Sequence, residues 1–264
     1  MNSSQPIGIF DSGVGGLSVL EHIHRLLPAE DLIYIADSAY MPYGSRHLNV
    51  VKERCHLLAH FFIRQDVKAM VVACNTATAA AIEDLRQNFQ IPVIGMEPAV
   101  KPAVEATKAG VIGVLATNGT LASEKFSRLV KRFGSDAEVV FQPGEGLVEQ
   151  VEAGHFDSDD TRKMLVMYLE PLLQQGMDTL VLGCTHYPFL MPLIRQITGD
   201  DVVILDTGDA IAEELKRQLE AGQLNAPEDV KGCIRFLSSG DRENSLNIIS
   251  RLWGVDVAVD TIKL

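Results

Sequence analysis

Val71-Val72-Ala73-Cys74-Asn75-Thr76 and Val181-Leu182-Gly183-Cys184-Thr185-His186 are two peptides of one design. In each, an apolar run of the kind that forms a buried strand ends on a cysteine, and small hydrogen-bonding residues follow. A thiol at the carboxyl end of a parallel strand, where the next helix starts, lies where α/β folds collect ligands, and backbone N–H groups there favour the thiolate. One such cysteine suggests a nucleophile. Two in matching contexts suggest opposed acid and base groups acting on one substrate atom, the arrangement that inverts a stereocentre.

Outward from these peptides, short β-branched runs alternate with longer amphipathic stretches, the pattern of a parallel sheet with helices on both faces. Strands are expected at Ile7–Phe10, Leu32–Ala36, Ala69–Ala73, Pro92–Ile94, Val111–Leu115, Glu138–Phe141, Thr179–Leu182, Val202–Leu205 and Ile234–Leu237. Helices are expected at Leu17–Leu27, His47–Gln65, Thr76–Asn88, Leu121–Phe133, Ser158–Gln175 and Ala210–Leu219, and Ala221–Pro227 is the most linker-like stretch. A faint internal repeat aligns Ile7-Gly8-Ile9-Phe10-Asp11-Ser12-Gly13 with Ile112-Gly113-Val114-Leu115-Ala116-Thr117-Asn118-Gly119, and each is followed by a strand ending in Cys. Duplicated halves facing each other would bring the two thiols to one cleft from opposite sides.

A chain of 264 residues, 47% hydrophobic, is long enough for a full core, and its length fits two domains. Its net charge of −12 disfavours a general role on nucleic acid or anionic membrane, both of which need a basic footprint. No apolar run approaches the ~20 residues of a membrane span, and the start Met1-Asn2-Ser3-Ser4-Gln5-Pro6 lacks the regions of a signal peptide, so a cytoplasmic protein is expected. Cys55, Cys74, Cys184 and Cys233 form no CxxC pair, which points to reduced thiols and away from a disulfide framework or zinc knuckle. His56 and His60 lack the Glu of a His-Glu-x-x-His helix and an evident third ligand, so no metal site is read.

The turn Asp11-Ser12-Gly13-Val14-Gly15-Gly16-Leu17-Ser18 also invites reading as a dinucleotide-binding loop, with Asp37 in the place of a ribose-binding acid. It departs from that fingerprint at Ser18, where the third glycine belongs, and Asp11 sets a negative charge where a pyrophosphate would approach. The polar turn Asp37-Ser38-Ala39-Tyr40-Met41-Pro42-Tyr43-Gly44 follows another expected strand, and a parallel sheet would carry it on the same edge as the cysteine turns.

These peptides, together with Glu97-Pro98-Ala99, Leu115-Ala116-Thr117 with Gly119-Thr120, and the run from Gly183 to Pro188, resemble the cofactor-independent aspartate/glutamate racemase family over the length of the chain. The resemblance implies two α/β lobes of similar topology facing each other across a cleft: residues 1–97 with 207–264, carrying Asp11 and Cys74, and residues 98–206, carrying Cys184 and His186. It implies glutamate as substrate, a place in D-glutamate supply for peptidoglycan, no cofactor and a homodimer. Aspartate-specific relatives usually carry an acid after Cys-Thr where this chain has His186, and decarboxylases of the superfamily need one catalytic Cys, not two. Action on DNA gyrase is reported for some members and has no support in these residues.

By the same resemblance, Cys74 and Cys184 are the acid and base, with Asp11 and His186 as auxiliary groups beside them. Substrate contacts carried over are Asp11, Ser12, Tyr43, Gly44, Asn75, Thr76, Thr185 and His186, most of which offer hydroxyls, amides or backbone N–H groups that hold carboxylates without an arginine. Glu149 resembles an acid given an auxiliary role in some relatives, although a glutamate on a helix is most often a solvated face. Removing an α-proton without an electron-sink cofactor requires a reactive base: a free thiol titrates at ~8.5, and a helix N-terminus with exclusion of water would make its anion both accessible and reactive.

Overall fold

The computed structural model describes residues 2–227 and 230–264. Its strands are β1 (Ile7–Asp11), β2 (Leu32–Ala36), β3 (Ala69–Val72), β4 (Val93–Gly95), β5 (Val111–Ala116), β6 (Glu138–Pro143), β7 (Thr179–Gly183), β8 (Val203–Leu205), β9 (Ile234–Ser238) and β10 (Val259–Thr261). They form two wholly parallel sheets, β10-β9-β2-β1-β3-β4 and β6-β5-β7-β8. The order β2-β1-β3-β4 in the first recurs as β6-β5-β7-β8 in the second, so the faint sequence repeat corresponds to a repeated topology. In both, the strand that runs into a cysteine is the immediate neighbour of the strand that opens the repeat.

Parallel strands need helical crossovers on both faces, and every strand of the repeat except the edges is buried on both sides. The helices are α1 (Leu17–Leu26), α2 (Leu48–Arg64), α3 (Asn75–Asn88), α4 (Val100–Ala106), α5 (Asn118–Leu121), α6 (Glu124–Phe133), α7 (Leu147–Glu152), α8 (Asp159–Gln174), α9 (Met191–Thr198), α10 (Gly208–Gly222) and α11 (Arg242–Trp253). On one face of the first sheet Ile7, Ile9, Tyr34 and Val71 pack with Leu20, Leu215 and Ile249 from α1, α10 and α11; on the other Phe10, Ile35 and Val72 meet Leu58, Phe62 and Leu85 from α2 and α3. The second sheet is covered likewise, Leu115 and Leu182 by Leu147 and Leu169, Val114 and Val181 by Val100 and Phe126. Alternate residues of one strand thus serve two separate cores, as the period of two requires.

The expected helix Leu121–Phe133 is broken. Thr117 caps α5 and Ser123 caps α6 through its hydroxyl, which accepts the Phe126 N–H at 3.1 Å, so the chain starts a second helix where the periodicity suggested one. Helices α4, α7, α9 and α11 and the edge strand β10 are additions to the sequence reading. Among the described residues no helix is long and apolar enough to cross a membrane.

Candidate active site

Each sheet sends three turns to one shared cleft from the carboxyl ends of matching strands. Ser12 follows β1 and Thr117 follows β5; Tyr43 and Gly44 lie after β2 and Val148 after β6; Cys74 follows β3 and Cys184 follows β7. The cleft is narrow, and both thiols line it with Asn75, Thr76, Thr185 and His186. Cys74 and Cys184 are 5% and 7% exposed. No lysine or arginine is among the lining residues. Beyond Gly44 and Thr117 the cleft adjoins a wider vestibule of about 730 Å3, rimmed by Ser45, Asn118, Glu145 and Glu149. A larger surface groove of about 1210 Å3 runs between α2, α3 and α6; it touches Tyr43 and Thr76 but neither thiol.

Asp11, expected among the substrate contacts, sits behind the lining. It is fully buried, accepts the Gly16 N–H at 2.8 Å, and receives the hydroxyls of Ser12 at 3.3 Å and Thr185 at 3.4 Å. Ser12 in turn lies 3.9 Å from Cys74 Sγ, so the acid meets the cleft through Ser12 and Thr185. Burial pushes the Asp11 carboxyl above its usual range; His186 and the N–H groups of Ser12 and Gly16 oppose the shift, while Glu152 adds to it.

Cys74 caps α3, its sulfur accepting the Ala77 N–H at 3.5 Å, as the strand-to-helix reading required. That single cap is not the strongest influence on the thiol. Burial drives this thiol well above its ordinary value, the Asp11 carboxylate and Cys184 push the same way, and the single N–H of Ala77 offsets little. These influences favour the neutral thiol at Cys74.

Cys184 has a different set of neighbours. His186 Nδ1 lies 3.7 Å from its sulfur, and His186 Nε2 lies 2.7 Å from Glu152 Oε1 on α7. Burial alone would favour the neutral ring, but the bonds to Cys184 and Glu152 outweigh it and hold His186 well above the ordinary imidazole range. The arrangement favours the protonated ring beside the Cys184 sulfur.

Glu152 was not legible as part of the site. Glu149, one helical turn earlier, is exposed at the vestibule rim, and only the fold shows which acid of α7 turns inward. Thr117, not among the expected contacts, could have been read from the repeat, where it holds the place of Ser12, and its hydroxyl lies 2.9 Å from that of Thr76. The glycine-rich turn after β1 proves to be shaped for this site and not for a nucleotide. A β-carbon at Gly13 would collide with the Glu152 carboxylate, and one at Gly15 with the His186 ring. Asp37 is likewise engaged, by Arg54.

Asn75 is 4% exposed, and neither atom of its side-chain amide has a hydrogen-bond partner among the described residues, although it faces the cleft. A buried amide left so carries a cost that a ligand's polar group would remove. No cluster of three or more potential metal-ligating side chains occurs among the described residues; His56 and His60 both pack on the ring of Phe89.

The Asp/Glu/Hydantoin racemase family model matches residues 7–215. A glutamate racemase from Stutzerimonas stutzeri (strain A1501) is 51% identical over 256 residues, which span 97% of this chain and 96% of that one. Among solved structures, a glutamate racemase isoform from Bacillus anthracis matches with a TM-score of 0.91 at 34% identity, covering 100% of this chain and 99% of that one. Escherichia coli glutamate racemase, crystallised with L-glutamate and the activator UDP-MurNAc-ala, matches with a TM-score of 0.84 at 33% identity over 98% of each chain. With likeness of sequence and of fold running through nearly its whole length, this chain belongs to the Asp/Glu/Hydantoin racemase family.

Proposed function

We propose that this isomerase interconverts L- and D-glutamate without a cofactor, with Cys74 and Cys184 as acid and base on opposite faces of the α-carbon. The observation that carries the reading is the convergence of both thiols on one buried cleft from matching strands of a repeated topology. Glutamate as substrate rests on the half-identical relative that is a glutamate racemase and on the homologue that binds L-glutamate.

In one direction the Cys184 sulfur, as thiolate beside the His186 imidazolium, takes the α-proton: the C–H bond breaks, an S–H bond forms, and the electron pair stays on carbon and its carboxylate. The Cys74 thiol then delivers its proton to the other face, forming the new C–H bond and leaving a thiolate. The reverse direction exchanges the two roles. Charge building beside the substrate carboxylate is met by fixed donors, with Asn75, Thr76 and Thr185 at helix starts and strand ends, in a cleft from which water is largely excluded. Asp11 with Ser12 tunes Cys74, and Glu152 with His186 tunes Cys184. The two lobes take residues 1–97 with 207–264 and residues 98–206, so that small shifts of one against the other open the cleft. In the cell we place the enzyme in the cytoplasm, as a homodimer, supplying D-glutamate for peptidoglycan.

The test is racemisation of each glutamate enantiomer by the purified chain with no added cofactor. Cys74→Ala and Cys184→Ala should each abolish both directions, because each direction needs one base and one acid. Reaction in D2O should place deuterium on the α-carbon of the product. Glutamate should exceed aspartate in kcat/KM by more than the ~1–3 kcal/mol of an apolar mismatch, since the shorter acid strands a carboxylate away from its donors. Near-normal rates in either cysteine variant would overturn the paired-thiol mechanism.

A further inference from the structure

The carboxylate of Asp37, at the end of β2, is wholly buried and saturated. It accepts Arg54 Nε at 3.0 Å and Nη2 at 2.7 Å, the Tyr43 hydroxyl at 2.5 Å and the Ser239 hydroxyl at 2.7 Å. Arg54, on α2, is almost as deeply buried, and its guanidinium stacks 3.9 Å over the ring of Tyr40. Between β2 and α2 runs the loop that brings Tyr43 and Gly44 to the cleft. The loop is anchored by the Tyr43 ring, which is buried in the core with Phe10 and Val51, by the Tyr43 hydroxyl on this pair, and by Arg46, which bonds the carbonyls of Tyr40 and Met41. At the far side of the loop, Gly44 is pressed against the turn after β5: a β-carbon there would lie 2.9 Å from Thr117 Cβ, and one on Gly119 would lie 3.0 Å from the Gly44 carbonyl oxygen.

A buried ion pair is a poor source of net stability, because desolvating both charges costs about as much as their attraction returns. A fully satisfied buried network instead fixes one geometry. Here the geometry fixed is that of a loop spanning from one sheet to the other across the substrate cleft. We infer that Asp37 and Arg54 are positioning residues: through the Tyr43 hydroxyl they hold the Tyr43–Gly44 loop against Thr117 and so set the enzyme's affinity for its substrate, while taking no part in proton transfer. Ser239, at the end of β9, extends that control to the C-terminal segment. This inference deepens the glutamate racemase reading and rests on it.

Tyr43→Phe is the decisive variant, because it cuts the link to the loop while leaving the Asp37–Arg54 pair intact and no charge unpaired. It should raise KM for both enantiomers roughly tenfold, the loss of one hydrogen bond to a charged group, with kcat changed by less than about threefold. Arg54→Lys keeps the charge but not the planar fork and should give a smaller rise in KM of the same kind. Amide hydrogen exchange over residues 38–46 should quicken in both variants without glutamate, a readout independent of turnover. Unchanged KM in Tyr43→Phe, or a fall in kcat in its place, overturns the inference, as does unaltered exchange in the loop. Failure of the unmodified enzyme to racemise glutamate would instead count against the proposed reaction, and the exchange measurement would still decide the role of the pair.

Discussion

His186 Nε2 and Glu152 Oε1 stand 2.7 Å apart, their side chains 2% and 7% exposed. The same carboxylate oxygen accepts the N–H of Val14 at 2.7 Å. The acid that holds His186 toward Cys184 is therefore itself held by the glycine-rich turn after β1, on the other sheet. Ser18 adds a second tie, its hydroxyl donating to the Thr185 carbonyl oxygen at 2.9 Å. Seating the two sheets against each other therefore also fixes the acid that meets His186.

Glu152→Gln should lower kcat by roughly 10–100-fold, the equivalent of one charge-assisted hydrogen bond of ~1.5–3 kcal/mol. Without the carboxylate the imidazolium is less favoured, so the pH at which His186 loses its proton falls, and the alkaline limb of the rate profile should move to lower pH. The two enantiomers have equal free energy, so kcat/KM must fall equally in both directions. The asymmetry will show in the α-deuterium isotope effect, which should grow for the enantiomer deprotonated by Cys184 and not for the other. An isotope effect that grows equally for both would separate Glu152 from Cys184.

The protonation state of Cys74 can be read by its reactivity. In a Cys184→Ala background, alkylation of Cys74 should be slow at neutral pH and should rise with pH beyond the ~8.5 of a free thiol. After burial, the Asp11 carboxylate is the largest influence raising this thiol. Adding Asp11→Asn should therefore speed alkylation near pH 8 even as it impairs racemisation of the intact enzyme. Slower alkylation in that variant would make Asp11 a base for Cys74 and not a charge that raises its thiol.

The cysteine turns were legible because a buried parallel strand is a nearly continuous apolar run, and both runs stop at a thiol. Nine of the strands and five of the helices follow the same kind of periodicity to within a residue or two at most ends, and the sixth expected helix is split at Ser123. What was hidden is instructive. Helix α11 carries readable signals, Asp241 capping through the Asn244 N–H at 2.9 Å and Gly254 at φ 83°, and could have been found from them. Glu152 could not: α7 is six residues long and carries acids at 149 and 152, and which one faces His186 depends on how α7 docks. The elevated thiol of Cys74 was hidden for a related reason, since local sequence shows the helix N-terminus but not the depth of burial that overrides it.

Asp178 supplies a pH test of stability. Burial opposes its ionisation, but the hydroxyl of Thr107 at 2.5 Å and the N–H groups of Ala109 and Lys108 at 2.7 and 2.6 Å prevail, with Thr179, and hold it at about 2. With the folded pKa below the ~3.9 of the unfolded chain, its contribution is complete above about pH 4 and is lost as the pH falls toward 2. Asp178→Asn should therefore cost about 1 kcal/mol at neutral pH, the group being largely solvent-screened. It should also flatten the fall in Tm between pH 4 and 2. An acid limb as steep as that of the unmodified protein would refute the assignment.

Lys68 offers a last test, at the end of β3 remote from Cys74. Its ammonium is fully buried and lies 2.5 Å from Glu30 Oε2, with the Ser3 carbonyl oxygen as a further partner. The other oxygen of Glu30 accepts the Ala226 N–H at 2.8 Å, so one ion pair ties the N-terminal segment, the start of β3 and the stretch after α10. Lys68→Met would leave the Glu30 carboxylate buried and uncompensated, a loss of ~3–5 kcal/mol. For a chain of this size that is a fall in Tm on the order of 10 °C. The double change Lys68→Met with Glu30→Leu should recover most of the loss, because it removes both desolvated charges together. Racemisation at 25 °C should be unaffected in all folded variants, since the pair lies at the amino end of β3 and the chemistry at the other. A double variant no more stable than the single one would show that the tie to Ala226, and not the burial of charge, governs this corner of the fold.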